Sequence, residues 1–176
     1  SQAFGLATPG GVVSTTGIAG LTLGGGSQSW LIRKYGNSAD NLVSADVVTA
    51  NGELVTANDK ENADLFWALR GGGGNFGVVT SFEFRLHAVG PYVLGGGAYF
   101  SWKRVREVTE FYLNYVTNLP DELTTALFYW TAPSAPFLPE SIHGQNVAII
   151  AACYAGAVDV GEKVVAPIRA LKTADD

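Results

Sequence analysis

The side chains best placed for chemistry in this chain are hydroxyls set among glycines. Ser14, Thr15 and Thr16 lie within Gly10-Gly-Val-Val-Ser-Thr-Thr-Gly-Ile-Ala-Gly-Leu-Thr-Leu-Gly-Gly-Gly26. Hydroxyls donate to phosphate oxygens, and main-chain N–H groups in a glycine-rich stretch are not shielded by Cβ atoms. Such a segment could bind a pyrophosphate. The same hydroxyls could equally serve the local turns of a purely structural loop. The second stretch is Arg70-Gly-Gly-Gly-Gly-Asn-Phe-Gly-Val-Val-Thr80. Four successive glycines permit positive φ and close approach to another surface. That surface could be a flat or phosphorylated ligand, or another part of the same chain.

Other chemistries find little support. Cys153 is the one cysteine, so no internal disulfide can form. Its apolar setting, Ala-Ile-Ile-Ala-Ala-Cys-Tyr, reads as a strand with an inert thiol. His87 and His143 lack partners at metal-ligand spacing. No Gly-x-Ser-x-Gly nucleophile pattern occurs. No Gly-x-Gly-x-x-Gly follows a strand and opens a helix, which argues against a nicotinamide-binding domain. A net charge of −5 without a basic face argues against nucleic-acid binding. No apolar run is long enough to span a membrane. No leader pattern opens the chain, which favours a cytoplasmic setting. The 47% hydrophobic and 15% charged content indicates a folded chain with a real core.

Elements must position these stretches. Residues 1–26 show no helical period and read as short extended pieces joined by glycine turns. Trp30–Tyr35 reads as a helical turn ended by Gly36. Leu42–Ala50 and Glu53–Ala57 flank Asn51-Gly52 and predict a hairpin with a type I′ turn. Asn62 reads as the N-cap of a helix over Ala63–Arg70 whose apolar face is Leu65, Phe66 and Leu69, with Phe66 and Trp67 expected in the core. Val78–His87 alternates as a half-buried strand. Val89-Gly90-Pro91 breaks the chain and marks a boundary. Beyond it, Val93–Ser101, Leu123–Thr131 and Asn146–Tyr154 read as strands. Lys103–Leu119 and about Val160–Leu171 read as helices, the second interrupted by Pro167. Ala132–Gln145, with three prolines, reads as an exposed loop. The order β-α-β-β-α is most of a split β-α-β unit with both helices on one face.

Several blocks now match one family in order: residues 11–26, Trp30-Leu-Ile-Arg-Lys-Tyr-Gly36 with Asp40-Asn41, and Asp64-Leu-Phe-Trp-Ala-Leu-Arg-Gly-Gly-Gly-Gly-Asn-Phe-Gly-Val-Val-Thr80. The chain resembles FAD-linked oxidases of the berberine-bridge-enzyme-like and 6-hydroxynicotine-oxidase-like group, in the vanillyl-alcohol-oxidase superfamily. The resemblance is close over residues 5–91 and looser over 92–172. It implies an α+β fold. Residues 1–90 would be the second lobe of a PCMH-type FAD-binding domain. Residues 91–176 would begin an antiparallel-sheet substrate domain. It further implies FAD as cofactor and a small-molecule substrate. Ser14, Thr15, Gly17 and Gly20 match positions touching the flavin or its pyrophosphate. Asn75, Phe76, Gly77, Val78 and Val79 match the loop end beside the adenine and ribose.

The sequence departs from that family in three ways. The upstream lobe that cradles the pyrophosphate is not present, and neither His87 nor His143 sits in its histidine segment. Where bicovalent members carry a cysteine this chain has Val13, which rules out a cysteinyl link there. The C-terminal segment with its Tyr-x-Asn pattern is also missing. The expectation is therefore an internal piece of a longer oxidoreductase, inactive alone and weak or deficient in FAD binding. Its exposed apolar area or open sheet edge would drive self-association. The catalytic base is not identified. Tyr129 and Trp130 could face a flavin ring but read better as core. The rival expectation is a non-enzymatic lobe with a structural or interaction role.

Overall fold

A computed structural model describes residues 1–171. The chain divides after Pro91 into two compact units.

After a 3-10 turn at Gln2–Phe4, the first unit has a two-residue strand β1 (Leu6–Ala7), then a helix α1 (Ile18–Leu23) and a helical turn α2 (Ile32–Tyr35). A hairpin of β2 (Leu42–Val48) and β3 (Leu54–Asn58) follows, then α3 (Ala63–Leu69), β4 (Val78–Phe84) and β5 (His87–Ala88). The sheet order is β3-β2-β4, all antiparallel, and β1 pairs with β5. One face of the sheet packs on both helices. Leu23, Leu42, Ala45, Val47, Ala57, Phe66 and Leu69 form the core, with Val79, Phe82 and Phe84 beside them.

Four sequence expectations change here. A short helix, not an extended piece, spans Ile18–Leu23. It forms because Thr22 and Leu23 are buried at its end, which outweighs the poor helix propensity of glycine. The hairpin turn is not type I′, since Gly52 alone of the pair has positive φ (80°). Gly52 N–H donates to Thr49 O at 2.9 Å and Thr49 N–H to Glu53 O at 2.9 Å, the pattern of a longer loop closed by a left-handed glycine. Asn62 does not cap α3 with its side chain. It adopts φ 48°, and its amide instead donates to Thr56 O at 2.8 Å. Trp67 is 74% exposed and is not core. At 3.6 residues per turn Trp67 falls about 100° beyond the arc of Leu65, Phe66 and Leu69.

A buried asparagine ties the helical turn α2 to the last residues of this unit. The Asn41 amide donates to Tyr35 O and Asn37 O, both at 2.8 Å. Its Oδ1 must then accept from His87 Nε2–H, at 2.6 Å. Its carbonyl accepts from Arg85 N–H at 2.8 Å. The His87 ring stacks on Tyr35 with centroids 4.0 Å apart, and Lys34 Nζ lies 5.6 Å from the same Tyr35 ring.

The second unit contains β6 (Leu94–Ser101), α4 (Val105–Tyr115), β7 (Leu123–Thr131), β8 (Asn146–Tyr154) and α5 (Val158–Ala170). The sheet order is β6-β8-β7, with β8 antiparallel to both neighbours. β6 and β7 are thus parallel to each other with β8 between them, a split β-α-β unit. Ala98, Phe100, Leu127, Ala148, Ile150 and Ala152 face the residues of α4 and α5. Phe100 and Val108 have no exposed surface; burying a side chain of the size of Phe100 is worth about 1.5–3 kcal/mol. α5 continues through Pro167.

The connection over residues 132–145 is not simply an exposed loop. Ala132, Leu138 and Ile142 are buried against Val147, Ile149 and Tyr99 on the helix-free face. Gly144 N–H donates to Ala132 O at 2.8 Å, and Ala132 N–H to Gln145 O at 2.9 Å. His143 Nε2 lies 3.2 Å from Ala135 O and 3.1 Å from Leu138 O, so it staples the loop. Tyr129 and Trp130, expected in the core, are 52% and 58% exposed. Cys153 is half-buried, and desolvation raises its thiol pKa.

His87 makes the first unit sensitive to acid. Its pKa lies below the ordinary 6.5, chiefly from desolvation and secondarily from the charge of Arg85. The folded state prefers the neutral ring. Its contribution is complete above pH 6.5 and is lost as pH falls through that value toward the lower folded-state pKa, because the unfolded chain takes up the proton first. Thermal unfolding followed from pH 8 to 5 should show a falling midpoint that His87→Gln flattens; an unchanged slope in that variant would contradict the assignment.

Candidate functional site

The two glycine stretches meet in the first unit at one defined point. Gly73 N–H donates to Leu23 O at 2.8 Å, which satisfies one of the carbonyls left open at the end of α1. The side chain of Leu23 packs in the same cluster as Phe66 and Leu69 of α3. The end of the first stretch and the middle of the second are therefore held against each other by main chain and core together.

Upstream of this junction, all of residues 11–20 are exposed. Ser14 and Thr15 occupy a turn closed by Thr16 N–H to Val13 O at 3.0 Å. Gly17 precedes α1, and its carbonyl accepts from Leu21 N–H at 3.1 Å. Gly20 lies within α1. A Cβ placed on either Gly17 or Gly20 would meet nothing within 4 Å. The chain therefore leaves open space over both glycines, next to two solvent-facing hydroxyls. Val12, Val13 and Ile18 in the same segment are 49%, 58% and 45% exposed.

The glycine loop 71–77 divides into two kinds of position. At Gly72 a Cβ would lie 2.4 Å from Ala68 O and 2.6 Å from Phe76 Cε2. At Gly77, where φ is 145°, it would lie 2.6 Å from Val48 O and 2.7 Å from Val47 Cγ1. These two glycines are required by the chain's own packing. Gly71 and Gly74 face open space. Asn75 is exposed, and its amide donates to Gly72 O at 2.9 Å. Val78 is 69% exposed. Val79 pairs with Val47 and, half-buried, packs beside the core. The other glycine run is also structural at Gly26, where a Cβ would lie 2.5 Å from Ser38 Oγ.

A cleft of about 570 Å³ opens beside this loop, lined by Asp40, Trp67, Ala68, Arg70, Gly71, Gly72 and Phe76. Arg70 lies 4.9 Å over the Phe66 ring. Phe76 is the one expected site residue that lines it. Asp40, Trp67 and Arg70 were not among the expected site residues. The signal for Trp67 was its angular position on α3. In the second unit an apolar pocket of about 260 Å³ lies between β6, β8 and α5. Among the described residues no cluster of three metal-ligating side chains occurs, and no helix is long and apolar enough to cross a membrane.

No family model matches the chain. It is 60% identical over 90 residues to the FAD-linked oxidoreductase pgmH of Aspergillus terreus, covering 51% of this chain and 18% of that one. It is 34% identical over 170 residues to the (R)-6-hydroxynicotine oxidase of Paenarthrobacter nicotinovorans, covering 96% and 35%. Among solved structures, the BBE-like 1 protein of Physcomitrella patens superposes with a TM-score of 0.79 at 31% identity, over 99% of this chain and 36% of that one. The chain is thus similar to FAD-linked oxidoreductases, and to proteins of the berberine-bridge-enzyme-like and 6-hydroxynicotine-oxidase-like group. Its mixed helical and antiparallel-sheet fold is theirs. It spans about a third or less of the length of these relatives.

The two kinds of glycine give opposite expectations for stability. Gly77→Ala should cost roughly 2–4 kcal/mol, from strained backbone and collision with Val48. Gly74→Ala should change stability by less than about 0.5 kcal/mol. Urea unfolding of both variants decides the matter, and equal losses would show that loop packing is not the constraint at Gly77.

Proposed function

We propose that this chain is the FAD-facing portion of an FAD-dependent oxidoreductase. The exposed segment 11–20, with free hydroxyls and two unobstructed glycines, carries the reading. Self-packing accounts for Gly26, Gly72 and Gly77. It gives no reason to leave Ser14, Thr15, Gly17 and Gly20 open to solvent beside exposed valines.

In this reading the Ser14 and Thr15 hydroxyls donate to the cofactor pyrophosphate, and Gly17 and Gly20 let its surface approach the main chain. Asn75, Phe76, Gly77, Val78 and Val79 lie beside the adenine and ribose. Phe76 contributes ring surface, Asn75 its remaining polar capacity, and Gly77, Val78 and Val79 their backbone. The bound FAD would supply the redox chemistry, taking hydride from an alcohol, amine or sugar carbon, with oxygen or another acceptor reoxidising it. The protein's part is to hold and orient that group. Residues 1–90 serve as cofactor lobe and the second unit as the start of a substrate domain. The 176 residues alone bind FAD weakly and do not turn over, because most of the length of the related enzymes lies outside them. A purely structural lobe would leave the open hydroxyl segment unexplained.

Gly20→Leu separates the two readings. Leucine favours helix over glycine, and its Cβ would meet nothing within 4 Å, so the thermal midpoint should hold or rise. In the longer protein that contains this chain, FAD affinity should fall at least about tenfold, a loss of about 1.4 kcal/mol. Flavin titration of the apoprotein measures it. Unchanged affinity, or a longer protein that does not take up FAD, would overturn the proposal, as would sub-micromolar FAD affinity in the 176-residue chain for the fragment's weakness.

A further inference from the structure

Among the described residues the two larger sheets present four outer strands, and three of them are protected against pairing. β3 is five residues long and leads into Asp59-Lys-Glu61. β4 carries Glu83, and its pairing with β2 is broken by register shifts. β6 contains Gly95, Gly96 and Gly97, and Arg169 of α5 lines the pocket beside it. Short length, charge, irregularity and glycine all discourage edge-to-edge association.

β7 has none of these defences. Leu123-Thr-Thr-Ala-Leu-Phe-Tyr-Trp-Thr131 contains no charge, glycine or proline. Its register with β8 is unbroken over all nine residues. Its outer edge has no partner strand among the described residues. Its last four residues are exposed. Phe128, Tyr129 and Trp130 there are 48%, 52% and 58% exposed, and Trp102, 45% exposed, meets Tyr129 edge-on at 5.9 Å.

We propose that two copies of this chain join through β7, in an antiparallel pair centred on Leu127 that makes one continuous six-stranded sheet. The strand is complementary to itself in that register. Thr124 stands opposite Trp130 of the second copy, Thr125 opposite its Tyr129, and Ala126 opposite its Phe128. Every small residue of the first half meets an aromatic of the second half. Faces are preserved, because each pair joins residues of equal parity. No like charges are opposed, and aromatic against threonine is a favourable cross-strand combination. A parallel pair in register would stack aromatic on aromatic and small on small, leaving one end overfilled and the other empty. The complementarity belongs to this strand with itself, which is the reason to name a second copy as the occupant. The main-chain bonds would be those of any added strand.

Sedimentation velocity of the chain from about 1 to about 100 µM should show a monomer–dimer equilibrium within this range. Trp130→Lys should weaken it at least about tenfold, and Leu54→Lys, on the exposed end of β3, should leave it unchanged. Register is tested in a Cys153→Ala background. Ala126→Cys and Phe128→Cys proteins, mixed and oxidised, should give a cross-linked heterodimer in preference to either homodimer, since directly opposed Cβ atoms fall in disulfide range. Monomer throughout, as expected if β7 pairs with some other strand, would overturn the proposal. So would a dimer indifferent to Trp130→Lys, or cross-linking no better in the mixture than in the single variants.

Discussion

The bond from Gly73 N–H to Leu23 O decides where the glycine loop lies. Its acceptor is held because the Leu23 side chain is buried among Leu69, Phe66 and the sheet. Its donor is free to point there because Gly73 adopts φ 74°, a conformation that costs glycine little. Two segments far apart in the chain thereby share one position. If α1 were displaced, a helix carbonyl would be left without its donor, and loop 71–77 would lose its reference point. The open hydroxyl segment is likewise placed by α1, which it immediately precedes.

Around that junction the glycines divide by physical role. Gly26, Gly72 and Gly77 are needed because other parts of the chain come too close for a Cβ. Gly17, Gly20, Gly71 and Gly74 border open space. A loop that is both tightly packed and open in this way is rigid where it meets the sheet and bare where it meets solvent. Fixed main chain presented to solvent suits a binding surface, since little conformational freedom remains to be lost when a ligand arrives.

The strands of the second unit were legible to the residue at β7 and β8, where runs of β-branched and aromatic side chains stop at turn residues. The elements missed were those whose order comes from distant contacts. α1 has three glycines within or at its ends and is stabilised by burial of Thr22 and Leu23, which no local pattern reveals. The prolines of residues 132–145 concealed that Leu138 and Ile142 cover the sheet. Trp67 was assigned by its type when its angle on α3 placed it outside. At the candidate site, the hydroxyls and bare glycines could be read directly. The distinction between packed and open glycines could not, because Val47 and Val48, which make Gly77 obligatory, lie far from it along the chain.

The strand order of the second unit carries a consequence for its synthesis. β8 is the centre of that sheet, yet it is the last of the three strands to leave the ribosome. β6 and β7 form no ladder with each other, so until β8 emerges neither has a strand to pair with. The sheet then closes in one late, long-range event. In the first unit, by contrast, β2 and β3 meet as a hairpin as soon as they are made, and β4 is added to an existing pair. Cotranslational folding of the two units should therefore differ in kind, the one growing strand by strand and the other waiting for its keystone.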